Sequence, residues 1–427
     1  MLESINAVLW AIATTFIVIL GISFSKKLIL PQFSLKKIYK SLKNTDNEGL
    51  TPIKTLFLTL AGRIGVGSIA GVALAIYIGG PGTIFWMWVI ALISGSLAYA
   101  ETLLAIKYQN KKNGENLGGP AFYIKNGLKN RKLSFLYASI VVVAYLIGFI
   151  PIQSNTIVKS MDMITYNNHF IIGIILAIIT FIVIRGGIKK IAKVTDKMIP
   201  FMTLLYVGMA FFVIFTRINE FPLIIKEIVK QAFDLKPFLS GFILTILIGV
   251  QRGIFSNESG LGLGAIAASA SNSTNGCRSG YVQVLGVYIT TIVICTATAF
   301  MILIFDYQSI TINNPNGIEL TNLAFNYHFG KIGNFLLVGC ILLFSFSTIL
   351  TGYYYCESSL KFLFKNINIK ILIILTPISV LFGTINSPSL IWQLIDVAAA
   401  ILALINIYSL YKLKDEIVQY HKKYDII

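Results

Sequence analysis

Apolar residues come in long runs along this chain, separated by short polar stretches in which lysine recurs, and two of the runs are interrupted in their middles. The runs fall at 5–22, 53–78, 81–106, 133–156, 170–184, 200–216, 238–268, 281–305, 332–360, 371–385 and 389–411. Most are long enough to cross a hydrocarbon layer of about 30 Å as helices; the shortest, 170–184 and 371–385, need flanking residues or a locally thinned bilayer. The first interruption lies in 59–82, TLAGRIGVGSIAGVALAIYIGGPG, where Gly62, Gly65, Gly67, Gly71 and a charged Arg63 stand where a smooth helix is expected. The second lies in 249–268, GVQRGIFSNESGLGLGAIAA. Lipid cannot satisfy loosened backbone groups, so breaks at this depth belong where a cavity or neighbouring protein supplies partners, and paired breaks point to a central binding site. Close helix packing alone would also favour glycine. It requires neither Arg63 nor the Ser256 to Ser259 run.

With the first run set aside, ten spans remain, in two halves of five, 51–217 and 238–411, each opening on a broken span. An odd number of spans per half makes the halves enter the membrane from opposite sides, as inverted repeats do. The expected organisation is an N-terminal anchor with a cytoplasmic loop (1–50), the first repeat (51–217), an external interfacial segment (218–237), the second repeat (238–411) and a solvated cytoplasmic tail (412–427). The first run follows Glu3 and precedes Lys26 and Lys27, the reverse of a cleavable signal, so it is expected to remain as an anchor with its N-terminus outside. The other expected cytoplasmic loops hold Lys107, Lys111, Lys112, Lys125, Lys129, Arg131 and Lys132, then Arg185, Lys189, Lys190, Lys193 and Lys197, then Arg278, Lys361, Lys365 and Lys370.

Composition agrees. Of 427 residues 56% are hydrophobic and 12% charged, with mean hydropathy +0.77, which marks an all-α polytopic membrane protein with about eleven transmembrane helices. The net charge of +17 is spread over inter-span loops, so it reads as orientation signal and not as a nucleic-acid surface. Four cysteines without CxxC spacing and three scattered histidines give no metal site, disulfide framework or hydrolytic motif, so no cofactor and no enzymatic chemistry are expected.

At the first break, the half-helix starting near Ser68 points its positive end at the gap and suits a carboxylate. Freed carbonyls such as those of Ala61 and Ile64 suit a hard cation. At the second, Ser256, Asn257, Glu258 and Ser259 gather polar groups. Arg252 and Glu258 either pair with each other, pair with Glu101 and Arg63 respectively, or bring Glu258 to the transported species. Arg63 is expected to pair with Glu258 or Glu101, because an unpaired guanidinium would repel a cation. Gln153, Ser154 and Asn155 follow Pro151, while Ser345, Ser347, Thr348 and Thr351 lie in another apolar run; these hydroxyls either bond back to carbonyls of their own helix or line a pocket. Thr348 and Gly352 lie one turn apart on one face.

These motifs resemble the alanine or glycine:cation symporter family, whose members share the LeuT-type fold of inverted five-helix repeats. The resemblance is carried in order by GVGSIAG and GGPGTIFWMW between Gly65 and Trp88, QSN at Gln153 to Asn155, RGIFSNESGLG from Arg252 to Gly262 and FSTIL from Phe346 to Leu350. It implies secondary transport of a small neutral amino acid such as alanine, glycine or glutamine into the cell, coupled to sodium, across the plasma membrane. Proton coupling is the alternative; an ion channel would want pore rings that are not seen. By the resemblance, the substrate carboxylate meets the backbone of Gly65, Val66, Gly67 and Ser68, while Gln153 and Thr348 line the pocket and Phe255, Asn257 and Gly352 border it. The sodium ligands are the carbonyls of Ala61 and Ile64 with Ser347 and Thr348. Ser68 stands where relatives usually have Asn. Gly352 stands where some have a bulky aromatic, so a longer substrate side chain is expected to fit, unless Tyr353 or Phe255 fills the gap.

Overall fold

A computed structural model describes residues 2–43, 50–112, 114–164, 168–234, 238–305, 317–386 and 388–425. The first apolar run is one helix, α1 (Leu2–Lys27), and Ile5, Val8, Ile12, Phe16, Ile19 and Ile22 expose a stripe at helical spacing, as lipid contact requires. A short turn leads to α2 (Leu35–Lys43). Thr51, whose hydroxyl caps the Lys54 N–H, and Pro52 in the first turn start α3 (Pro52–Arg63), which breaks at Ile64 and Gly65 and resumes as α4 (Val66–Gly79), bent by 45°. Then follow α5 (Gly82–Lys107), a hairpin of β1 (Asn110–Lys112) and β2 (Glu115–Leu117), and α6 (Pro120–Asn126). Next, α7 (Arg131–Ala144) passes through a π-helical turn (Tyr145–Phe149) into α8 (Ile150–Met161). The helices α9 (His169–Ile184), α10 (Gly187–Thr216) and α11 (Phe221–Ala232) complete this part.

The second broken span is α12 (Phe238–Asn257) with α13 (Leu263–Ala268). Between them the backbone is left-handed at Glu258 (φ 57°), Gly260 (φ 89°) and Gly262 (φ 80°). Two of these three positions are glycine, which enters that region freely. Helix α14 (Gly276–Val287) continues through a π-helical stretch (Tyr288–Cys295) into α15 (Thr296–Ile304), followed by α16 (Gly317–Phe329), α17 (Lys331–Leu363), α18 (Lys370–Ile385), α19 (Pro388–Lys412) and α20 (Lys414–Tyr424). The broken helices are packed inside: α3 against α10 and α17, and α12 against α4 and α5. Helix α1 lies outside, on α19 and α5.

Among the described residues, seven single helices are long and apolar enough to cross a membrane, and the bent α3–α4 pair makes an eighth. Three shorter apolar helices, His169–Ile184, Gly241–Asn257 and Lys370–Ile385, bring the total to the eleven expected only if each is counted as a span. Three expectations are corrected. Helix α10 runs unbroken through Pro200, so Lys189, Lys190, Lys193 and Lys197 sit on its first turns and not in a loop. The tail is helical, and buries Ile417 and His421 against the bundle, with Glu416 bound by Lys107 and Tyr108. The sequence predicts no helix between the expected spans 281–305 and 332–360, yet α16 lies there. Residues 44–49 of the expected cytoplasmic loop and 235–237, where the external segment should join the second half, lie outside the described residues.

Candidate functional site

Backbone hydrogen bonds explain the first break. In a continuous helix the Gly65 N–H would bond the Ala61 carbonyl and the Ser68 N–H that of Ile64. Here Gly65 N–H turns to the Arg63 carbonyl and Ser68 N–H to that of Gly65, both at 3.1 Å. The Ala61 and Ile64 carbonyls are left without those helical donors.

Helix α17 faces them. The Thr348 hydroxyl lies 3.0 Å from the Ala61 carbonyl and 3.4 Å from that of Ile64, and the Ser347 hydroxyl lies 3.4 Å from Ala61 O. Each hydroxyl also reaches the Phe344 carbonyl of its own helix, at 2.9 Å from Ser347 and 3.0 Å from Thr348. A hydroxyl owns one proton. When it is spent on Phe344, oxygen lone pairs of Ser347 and Thr348 face the carbonyls of Ala61 and Ile64, and four oxygens converge with no proton between them, the donor set a hard cation satisfies. Of the two alternatives left open, bonding back to their own helix is seen for Ser347 and Thr348.

Beside this cluster, the Val66 N–H at the start of α4 donates to Gln153 Oε1 at 3.2 Å. A side-chain oxygen on a helix N-terminus marks where a carboxylate oxygen would be accepted. Gly65 has to be glycine for the approach: a Cβ there would lie 2.6 Å from Thr348 Oγ1 and 3.1 Å from both Gln153 amide atoms. A Cβ at Gly67 would lie 2.9 Å from the Phe255 ring. The structure thus brings together Ala61, Ile64, Gly65, Val66, Gly67, Gln153, Phe255, Ser347 and Thr348.

The side chains of Ser68 and Asn257, and the space at Gly352, are engaged elsewhere, while the backbone contact expected of Ser68 does not involve its hydroxyl. The Ser68 hydroxyl shares a hydrogen bond with Ser256 (3.2 Å), on the side of α4 facing α12, and the Ser68 carbonyl accepts from Thr298. Asn257 donates to the Thr291 hydroxyl and accepts from the Ser259 N–H, so its amide secures the second break. At Gly352 the space is taken by Tyr145: an added Cβ would meet that ring at 2.7 Å. Tyr145, stacked on Phe149, donates to Glu258 Oε1 at 3.1 Å, and Tyr355 donates to Oε2 at 3.1 Å. Gly352 therefore admits the ring that holds Glu258. Gly352→Ala is expected to lower uptake of every transported solute by the same factor, through roughly 1–3 kcal/mol of overpacking. Competition assays that show a selective loss for the longer substrate would return position 352 to the pocket wall.

The charged groups pair differently from expectation. No ion pair within 4 Å joins Arg63 to Glu258 or Glu101 among the described residues; the guanidinium donates to the Gln283 carbonyl at 3.2 Å, and the two carboxylates act on it only through space. Glu101 accepts from the Gly260 N–H (2.7 Å) and the Asn406 amide (2.6 Å). Arg252 pairs with neither Glu258 nor Glu101 but with Asp396 on α19, at 3.3 Å, its guanidinium over the Phe255 and Trp392 rings. Asp396 is the one charged residue in the run 389–411, a signal legible in the sequence and missed there. Tyr145, Tyr355 and Gln283 offered no such signal, because tyrosine and glutamine in apolar runs are ordinary.

A sequence model of the sodium:alanine symporter family matches residues 1–426 of the chain. The amino-acid carrier protein AlsT of Bacillus subtilis is 34% identical over 386 residues, covering 90% of this chain and 82% of that protein. The probable sodium/glutamine symporter GlnT of the same organism is 34% identical over 98% of this chain and 89% of its own length. The sodium/alanine symporter AgcS of Methanococcus maripaludis is 30% identical over 100% and 97%. Among solved structures, a Na+-coupled sialic acid symporter aligns with TM-score 0.50 and 12% identity over 96% of this chain and 82% of that one, a likeness of fold.

Proposed function

Since the chain belongs to the sodium:alanine symporter family, we propose that it carries a small neutral amino acid, with alanine, glycine and glutamine the candidates, into the cell together with sodium. The observation that carries this reading is the convergence of four oxygens, from Ala61, Ile64, Ser347 and Thr348, beside the N-terminus of α4. Sodium occupies the oxygen cluster. The substrate carboxylate takes the α4 N–H groups by displacing Gln153 Oε1, and so sits one residue away from the cation, which links the two binding events electrostatically.

Transport follows from alternating access, in which α3–α4 and α12–α13 move against the surrounding helices. The Arg252–Asp396 pair ties the second broken span to α19 next to Phe255, so it forms and parts as the site closes and opens. The N-terminus lies outside and the lysine-rich loops in the cytoplasm. One inward charge at 100 mV supplies about 2.3 kcal/mol and a tenfold sodium gradient about 1.4. Together they suffice to concentrate a neutral solute a few hundredfold.

Reconstituted vesicles test this directly. Alanine or glutamine uptake should require an inward sodium gradient and rise with an inside-negative potential. Uptake driven by a proton gradient with no sodium present would overturn the choice of ion, and solute-independent sodium flux would favour a channel.

A further inference from the structure

The apolar surface of α1 does not stop where its membrane helix stops. Past Lys26 and Lys27 the backbone turns left-handed at Ile29 (φ 55°) and Leu30 (φ 51°), a conformation that side chains rarely adopt. That turn holds both side chains outward: Ile29 is 77% exposed, and Phe33, Leu35 (67%) and Tyr39 (59%) continue the row. Exposed apolar groups in such a row beyond a span are not a solvated loop.

Helix α2 is arranged to match. At 3.6 residues per turn, Leu35, Tyr39 and Leu42 share one face, Lys36, Lys40 and Lys43 share the adjacent one, and the buried Ile38 and Ser41 lie on the protein side. The helix packs there on α14, and the loop before it is tied down by Gln32, whose side-chain NH2 donates to the Ser25 hydroxyl and whose backbone carbonyl accepts from the Tyr288 hydroxyl. Between residues 26 and 43 the chain has six lysines and no acid. Among the described residues, one of the six has an ion pair, Lys37, with Asp425 of the C-terminal segment at 2.5 Å.

We propose that residues 29–43 form an interfacial element that inserts Ile29, Leu30, Phe33, Leu35 and Tyr39 at the acyl boundary and binds anionic phospholipid headgroups through Lys36, Lys40 and Lys43. Charge complementarity identifies the occupant. A neutral membrane would accept the apolar flank but offer Lys36, Lys40 and Lys43, the last lying over the Tyr39 ring, no counter-charge, whereas an anionic leaflet supplies phosphates at the depth to which lysines on the side of such a helix reach. A basic helix with one apolar flank lies in the membrane plane. Because Lys37 on the same helix holds Asp425, the lipid-bound element also braces the C-terminal helix α20.

The four native cysteines are all buried, so a cysteine introduced at Leu35 can be labelled selectively with an environment-sensitive fluorophore on the full chain. In phosphatidylcholine vesicles containing phosphatidylglycerol, the label should emit as in an apolar medium, and more strongly so than in phosphatidylcholine alone. Lys36→Gln, Lys40→Gln and Lys43→Gln together, all exposed changes, should abolish that dependence on anionic lipid. Soluble glycerol phosphate should leave the signal unchanged. Water-like emission in both vesicles, an unaltered response in the triple variant, or reversal by glycerol phosphate would each overturn the proposal. The readout involves no transported solute, so its failure is separate from failure of the symport reading.

Discussion

Removing the hydroxyls of Ser347 and Thr348 together is expected to raise the sodium concentration needed for half-maximal uptake, by about tenfold for each hydroxyl lost, before it changes which amino acid is preferred. Each hydroxyl is one of four oxygens in the cluster. A buried polar contact is worth about 1–2 kcal/mol, and 1.4 kcal/mol is a factor of ten. The substrate preference survives because the α4 N–H groups and Gln153 lie outside the substitution. Thr348→Ala should weigh more than Ser347→Ala, since the Thr348 hydroxyl lies near two freed carbonyls, at 3.0 and 3.4 Å, and that of Ser347 near one, at 3.4 Å. Thr348→Ser keeps the oxygen and should restore most of the sodium affinity. Uptake measured against sodium concentration decides it: an unchanged curve for the double variant would remove these hydroxyls from the cation site.

Much of this geometry is legible from the chain alone, and the part that is not has a common cause. The two breaks can be read because glycine and charge inside an apolar run contradict the rule that lipid imposes on a backbone. Hydroxyls in an apolar run show only that Ser347 and Thr348 need partners, which their own helix supplies at Phe344; their place opposite the first break is legible in the sequence only through the family resemblance. What a sequence does not express is which of several apolar faces meet. Gly352 reads as space, yet the space belongs to Tyr145, which arrives from the π-helical turn after α7, where one extra residue rotates every following side chain. Asn257 reads as a pocket residue because its neighbours are polar, yet its amide is consumed by Thr291 and Ser259. The helical tail was hidden for a different reason. Its charged residues suggest solvent, and only the positions of Glu416, His421 and Asp425 against α5, α14 and α2 reveal a docked face.

Arg63→Ala is expected to impair folding and expression far more than substrate affinity. Its guanidinium is buried, at 3% exposure, in a slot walled by two glycines. A Cβ at Gly264 on α13 would run into Nη2, and one at Gly286 on α14 would lie 2.5 Å from Nη1. With the bond to the Gln283 carbonyl, the side chain joins the first broken span to α13 and α14 at once. Its charge is also the counterweight to Glu258 and Glu101, each buried and held by neutral donors. Deleting it empties the slot and removes the positive charge that acts through space on two buried carboxylates, and a buried charge without compensation is costly. Arg63→Lys should rescue little, because a compact ammonium fills neither side of the slot. Gly264→Ala and Gly286→Ala give an independent check, since they leave every charge in place and intrude on the slot, the second also pressing on Leu56. Both should lower the unfolding temperature of the purified protein in the direction of Arg63→Ala, with the sodium and substrate affinities of the folded fraction near those of the parent. A well-folded Arg63→Ala protein that has lost substrate binding alone would show instead that the guanidinium recognises the substrate, and the slot would then be a by-product of packing.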